Sequence, residues 1–176
     1  MPVLLRRLRL VMCLPLMGLV SLAQAAFADN AKRVALVMGN SAYASVVPLA
    51  NPGNDARAIA EALERLGFDV TLALDQTQQE SLRSIEAFTR ASVDAEIALF
   101  YYSGHGLQLD GTNYLLPVDL EVNSPSPVQY KAIDAGRLLR DIEALADTSI
   151  LILDACRDNP FGAQLAQFLP APARPG

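Results

Sequence analysis

Hydrophobic and polar positions divide the chain into alternating strand-like and helix-like stretches. Residues 33–38 (RVALVM) are apolar without alternation, the pattern of a strand covered on both faces, and Gly39-Asn40 ends the run. A loop holding Pro48, Pro52 and Gly53 leads to Asn54-Asp55. Ala56, Ile59, Ala60, Leu63 and Leu66 then recur at helical spacing, with Asn54 or Asp55 as the expected N-cap and Gly67 as the stop. Residues 68–74 predict a second strand. Thr77-Gln78-Gln79-Glu80 is a capping box ahead of Leu82, Ile85 and Phe88, which predicts a second helix.

Residues 96–102 predict a third strand, and residues 106–116 a hairpin turning at Asp110-Gly111. Residues 120–131, with Pro125 and Pro127, predict a loop. Asp134 is placed to cap a third helix bearing Leu138, Leu139, Ile142 and Leu145, and residues 148–153 predict a fourth core strand. Strands alternating with helices imply an α/β fold, a three-layer α/β/α sandwich around a mainly parallel sheet with right-handed crossovers. Residues 161–176, with Pro170, Pro172 and Pro175 among small residues, predict a poorly ordered tail.

The first 28 residues stand apart from this pattern. Arg6, Arg7 and Arg9 precede an apolar stretch over 10–23, followed by small residues at Ala23-Gln24-Ala25 and Ala26-Phe27-Ala28. This is the pattern of a cleavable secretory signal. The stretch is shorter than the roughly 18 apolar residues of a spanning helix and contains Pro15. The domain organisation expected is therefore a signal over 1–28, one folded domain over 29–160 and the tail over 161–176. The protein is expected to be exported, periplasmic or secreted, with no stable membrane span after cleavage.

Charge and cysteine content sharpen the picture. The whole chain carries 14 basic and 19 acidic residues, and loss of residues 1–28 leaves 11 basic residues against 19 acidic, a formal −8. Nucleic acid is an unsuitable partner for such a chain. Cleavage also removes Cys13, leaving Cys156 as the single thiol, unable to form an intramolecular disulfide in a compartment that favours disulfides. Reactivity explains such a thiol better than bridging, with burial as a small hydrophobe the alternative.

The single histidine completes the candidate chemistry. His105 lies in Tyr101-Tyr102-Ser103-Gly104-His105-Gly106 and Cys156 in Asp154-Ala155-Cys156-Arg157, each just after an apolar run. Both thus fall at the carboxyl ends of predicted strands, where open α/β sheets place their sites. An unperturbed thiol is only a few per cent ionised at neutral pH, so an imidazole that takes its proton makes it a practical nucleophile. The backbone N–H groups of Gly106 and Cys156 are candidates to hold the developing oxyanion, and Gly104 and Gly106 let main chain approach a substrate. One histidine and one mature cysteine fall short of a structural zinc site, and Met38-Gly39-Asn40 is no nucleotide-binding fingerprint. A doubly wound ligand-binding domain, with His105 and Cys156 incidental, would need another pocket motif.

Residues 33–161 resemble the large-subunit part of the caspase and metacaspase family, most closely its bacterial caspase-like members. The resemblance rests on residues 34–40 (VALVMGN), 49–56, 101–106 (YYSGHG), 114–119 and 154–157 (DACR). The separation of 51 positions from His105 to Cys156 also matches the caspase histidine-to-cysteine spacing of roughly 50. It implies a caspase-hemoglobinase fold and a His105-Cys156 dyad with no metal in the chemical step. Where caspases that cut after aspartate have Gln-Ala-Cys, this chain has Asp154-Ala155-Cys156, like metacaspases that cut after arginine or lysine. Asp55 and Ser103 match further positions of that acidic pocket.

A buried carboxylate pairs with a basic side chain and repels an acidic one, so the implied substrate is a peptide or protein with a basic P1 residue. On the residues alone Asp55 is equally a helix cap, and Asp154 a turn residue at a strand end. Asp119 and Asp134 match only part of the family's calcium-binding acid cluster, so neither a calcium requirement nor another cofactor is expected. The family continues past the cysteine into a small-subunit portion, whereas about twenty residues follow Cys156 here. A fragment of a longer protein, a truncated product and a chain that needs a partner are all left open; the alternative expectation is a truncated, catalytically weak interaction module needing a missing C-terminal half, with the open edge of residues 148–153 an association risk. The sequence leaves the oligomeric state open.

Overall fold

The computed structural model describes residues 31–121, 130–156 and 161. Residues 1–30, and with them the signal reading, lie outside the described residues, as do most of the loop over 120–131, Arg157 and all of the tail except Phe161.

Four parallel strands make the frame. These are β1 (Arg33–Gly39), β2 (Asp69–Leu74), β3 (Ala95–Leu109) and, further along the chain, β6 (Ala146–Cys156), in the order β2-β1-β3-β6. Three helices connect them: α1 (Pro52–Arg65), α2 (Gln78–Ala91) and α3 (Ala135–Glu143). Because strand side chains alternate, each strand serves two layers. Val34, Leu36 and Met38 of β1 with Phe100 and Tyr102 of β3 pack against Phe88 of α2 and Leu138 and Ile142 of α3. Ala35 and Val37 with Leu99 and Tyr101 pack on the other face against Ala56, Ala60 and Leu63 of α1. The expected three-layer sandwich is the fold observed.

Local signals act where they were read. Thr77 and Glu80 form the reciprocal capping box of α2, and the Asp134 side chain accepts from the Arg137 N–H to cap α3. Asp110 and Gly111, with φ of 49° and 80°, make the two-residue turn into β4 (Thr112–Leu115). Both central residues of such a primed turn need positive φ, which Asp-Gly provides.

Three boundaries differ from expectation. The cap of α1 is Asn51, because Pro52 has its φ already set for a first helical position; Asp55 therefore sits one turn inside the helix. This start brings α1 onto the end of β1, where a Cβ on Gly39 would lie 2.6 Å from the Pro52 carbonyl oxygen. Strand β3 does not end at Tyr102 but runs on through His105 to Leu109, and β6 likewise continues through Asp154 to Cys156. From Gly106 onward β3 exchanges its parallel neighbours for antiparallel β4, which pairs in turn with the two-residue β5 (Ile133–Asp134). Phe161, expected to open the tail, is buried with Tyr43, Leu107, Leu116 and Leu120.

Candidate active site

His105 stands where β3 passes from parallel to antiparallel pairing. Just before it, Gly104 has φ of 155°, and a Cβ there would lie 2.6 Å from the Tyr43 hydroxyl and 2.7 Å from that of Tyr102. Only glycine fits between the two tyrosines. The His105 N–H donates to the Tyr43 hydroxyl at 2.8 Å, and the Tyr102 hydroxyl lies 2.8 Å from the His105 carbonyl oxygen. The two hydroxyls are 3.1 Å apart. The imidazole itself rests against the Tyr43 ring, centroids 4.6 Å apart and planes tilted by 56°. Its Nε2 lies 2.8 Å from the Val47 carbonyl oxygen. A carbonyl only accepts, so Nε2 carries the hydrogen and Nδ1 is the ring atom left to exchange a proton.

The loop that supplies Tyr43 and Val47 is fixed at both sides. Asp75, at the end of β2, accepts from the Ser41 N–H at 2.7 Å and the Ala42 N–H at 2.9 Å through one carboxylate oxygen. Buried Asn40 donates from Nδ2 to the Leu116 carbonyl at 3.0 Å and accepts the Gln76 N–H on Oδ1 at 3.0 Å. Burial raises the Tyr43 hydroxyl to a pKa of about 12 and that of Tyr102 well above its ordinary value, so both are neutral donors and acceptors.

Cys156 reaches this point through the register. In the β3–β6 ladder Ser103 is opposite Asp154, Gly104 opposite Ala155 and His105 opposite Cys156, on strands roughly 4.8 Å apart. Two residues 51 positions apart in sequence are thus cross-strand neighbours at the same sheet end.

The candidate pocket residues gather beside them on the α1 side. The Tyr101 hydroxyl donates to Asp154 Oδ2 at 3.3 Å, and Ser103 Oγ lies 3.5 Å from the same oxygen. The Tyr101 hydroxyl is raised, first by burial, then by the negative charge of Asp154 and, more weakly, of Asp55. Asp154, exposed rather than buried as expected, thus meets Tyr101 and Ser103 on one carboxylate oxygen, and Asp55 acts on the same tyrosine only through its charge. Tyr101, Tyr43 and Val47 were not singled out from the sequence; the latter two reach His105 across 62 and 58 positions, so no local pattern marks them.

Asp119 and Asp134 are engaged elsewhere. Asp119 accepts from the Gln78 N–H at the start of α2, and Asp134 caps α3. Among the described residues no group of three or more His, Cys, Asp and Glu is placed to hold a metal ion, and no helix is long and apolar enough to cross a membrane.

The family model of the caspase domain matches residues 32–172. Mucosa-associated lymphoid tissue lymphoma translocation protein 1 from Homo sapiens, and its homolog from Mus musculus, are each 28% identical over 127 residues. The match covers 71% of this chain and 15% of the length of either relative. In fold, the chain is similar to a crystal structure of a Geobacter sulfurreducens protein, with a TM-score of 0.54 and 20% identity over 71% of this chain and 50% of that one.

Proposed function

The chain belongs to the caspase domain family, and from that membership we propose that it is a cysteine-type endopeptidase working through His105 and Cys156. The observation that carries the reading is the cross-strand placement of His105 opposite Cys156, with His105 Nε2 occupied by the Val47 carbonyl. The Cys156 sulfur attacks the scissile carbonyl carbon while its proton passes to His105, and the backbone N–H groups of Gly106 and Cys156 receive the oxyanion. His105 then returns the proton to the leaving amine as the C–N bond breaks, leaving a thioester. Water adds to the thioester as His105 takes its proton, and the acid product leaves with the thiol restored. Thiol and imidazole supply nucleophile and proton carrier between them, so a chelator should leave turnover unchanged.

We assign Asp154, supported by Asp55 and Ser103, to a pocket for an arginine or lysine side chain preceding the cut. The Asp154 carboxylate at the Tyr101 hydroxyl, with the negative charge of Asp55 acting on the same group, favours a cation and disfavours an acidic side chain. With residues 1–28 read as an export signal, the substrates are peptides or proteins outside the cytoplasm.

A second reading, a binding module without turnover, draws on the half-open flank of β6, where Ile152 is 43% exposed. One experiment separates the two. The purified protein is offered fluorogenic peptides ending in Arg, Lys or Asp under reducing conditions, beside Cys156→Ala and His105→Ala. Hydrolysis of the Arg and Lys peptides that vanishes in both variants, with unchanged circular dichroism, establishes the endopeptidase. Silence from folded protein on every peptide counts against the endopeptidase and favours an incomplete catalytic half or the binding module.

A further inference from the structure

We propose that Tyr43 is a positioning residue for His105, holding its backbone through the hydroxyl and its imidazole through the ring; this rests on the reading of His105 as the proton carrier.

Three contacts from one short segment converge on His105. The Tyr43 hydroxyl accepts the His105 N–H, the Tyr43 ring packs on the imidazole, and the Val47 carbonyl, four residues on, accepts from Nε2. At a position where β3 gives up its parallel partner β1, a side chain thus replaces the neighbouring strand as the partner of the amide. The hydroxyl protons can be traced. Tyr102 contacts the carbonyl oxygens of His105 and Leu116, at 2.8 and 3.0 Å, and its single proton goes to one of them. Its oxygen then accepts from Tyr43, whose own oxygen accepts from His105. The chain of donors starts at the His105 amide and returns to carbonyls at the same strand crossing. Gly104 leaves the room for this arrangement, and Asp75 anchors the two amides just before Tyr43.

A displaced general acid or base lowers turnover more than binding, because misplacement of about 1 Å can cost on the order of a hundredfold in rate. Tyr43→Phe keeps the ring and removes the hydroxyl. Tyr43→Leu removes both. Leu120→Val is the control, since Leu120 shares the Tyr43 cluster without a contact to His105 among those described. Three readouts apply: kcat and KM on an arginyl peptide, hydrogen exchange at the His105 amide, and the ring-proton resonances of the chain's single histidine.

For Tyr43→Phe we expect kcat to fall about tenfold with KM within twofold, His105 amide exchange to quicken at least tenfold, and the ring resonances to hold. For Tyr43→Leu the ring resonances also move and kcat falls by about a further tenfold. Leu120→Val lowers thermal stability and leaves all three readouts at wild-type values. Unchanged His105 exchange in Tyr43→Phe, or the same changes in Leu120→Val, would overturn the proposal. The nuclear readouts need no turnover. A chain that hydrolyses nothing therefore refutes the endopeptidase reading while exchange and resonances still decide the role of Tyr43.

Discussion

Strands β3 and β6 lie side by side and carry similar apolar runs, IALF over 97–100 and ILIL over 150–153, yet their surroundings differ. On β3, Phe100 and Tyr102 are fully buried, Leu99 and Tyr101 nearly so, and β1 and β6 flank the strand. On β6, Leu151 and Leu153 pack beneath the sheet, while Ile152 and Asp154 on the α1 side are exposed. An unbroken apolar run therefore identifies a strand of this sheet without saying whether it is central or flanking. The difference also divides the labour of the site. The β3 end is braced by two tyrosines and an anchored loop around His105, while the β6 end leaves the Asp154 carboxylate exposed.

If this contrast is real, truncation on β3 should be the more damaging by a wide margin. Phe100→Ala removes a fully buried ring wedged against Phe88, their centroids 6.4 Å apart, and should cost about 3–5 kcal/mol in a denaturant titration. A cost near 1 kcal/mol would show that the β3 core repacks readily, and the comparison would fail at its strongest point.

The brace at the β3 end should be next in size. Asp75 has φ of 49° and holds two backbone N–H groups on one oxygen. Asp75→Ala removes both hydrogen bonds and puts a methyl side chain in the left-handed region, at about 1–2 kcal/mol, since water can reach the freed N–H groups. Asp75→Asn retains an amide oxygen and tolerates that φ, so its stability should stay close to wild type. Equal losses in the two variants would refute the anchoring role.

These two sites also show what was legible in the sequence. The strand at 33–38, the Thr77 capping box, the Asp110-Gly111 turn and the Asp134 cap are local, and each was readable because neighbouring residues settle it. His105 and Cys156 stood out for the same reason, as rare side chains after apolar runs. What stayed hidden depends on distant partners. The continuation of β3 through Gly104 requires β4 and β6 beside it, and Tyr43 is tied to His105 only by the fold. The α1 cap moved to Asn51 because Pro52 outweighed the polar pair at Asn54-Asp55.

A smaller effect should appear in alkali. The folded-state pKa of Tyr43 is raised to about 12 from 10.0, and that of Tyr102 is raised as well. A raised folded value means the native state holds its proton where the unfolded chain has lost it. The stabilisation is therefore complete below pH 10 and declines from there to about 12. One tyrosine contributes a slope of about 1.4 kcal/mol per pH unit in that window. Urea midpoints for Tyr43→Phe should fall less steeply with pH than those of the unaltered protein. Parallel curves would mean that Tyr43 titrates as if exposed, which would loosen the brace on the β3 side.

The smallest expected effect tests the β6 side. Ile152 is 43% exposed, so Ile152→Ala removes only part of the surface that a core isoleucine would have buried and should cost about 1 kcal/mol, against the 2–5 kcal/mol of a buried isoleucine. Measuring it at two protein concentrations makes the result diagnostic. A small, concentration-independent cost keeps β6 as an open flank beside the candidate pocket. A large cost that grows with concentration would mean that in solution a second copy covers Ile152, since mass action stabilises whatever only the folded state binds. The contrast between the strands would then belong to the isolated chain, and access to Asp154 would depend on the assembly rather than on the fold alone.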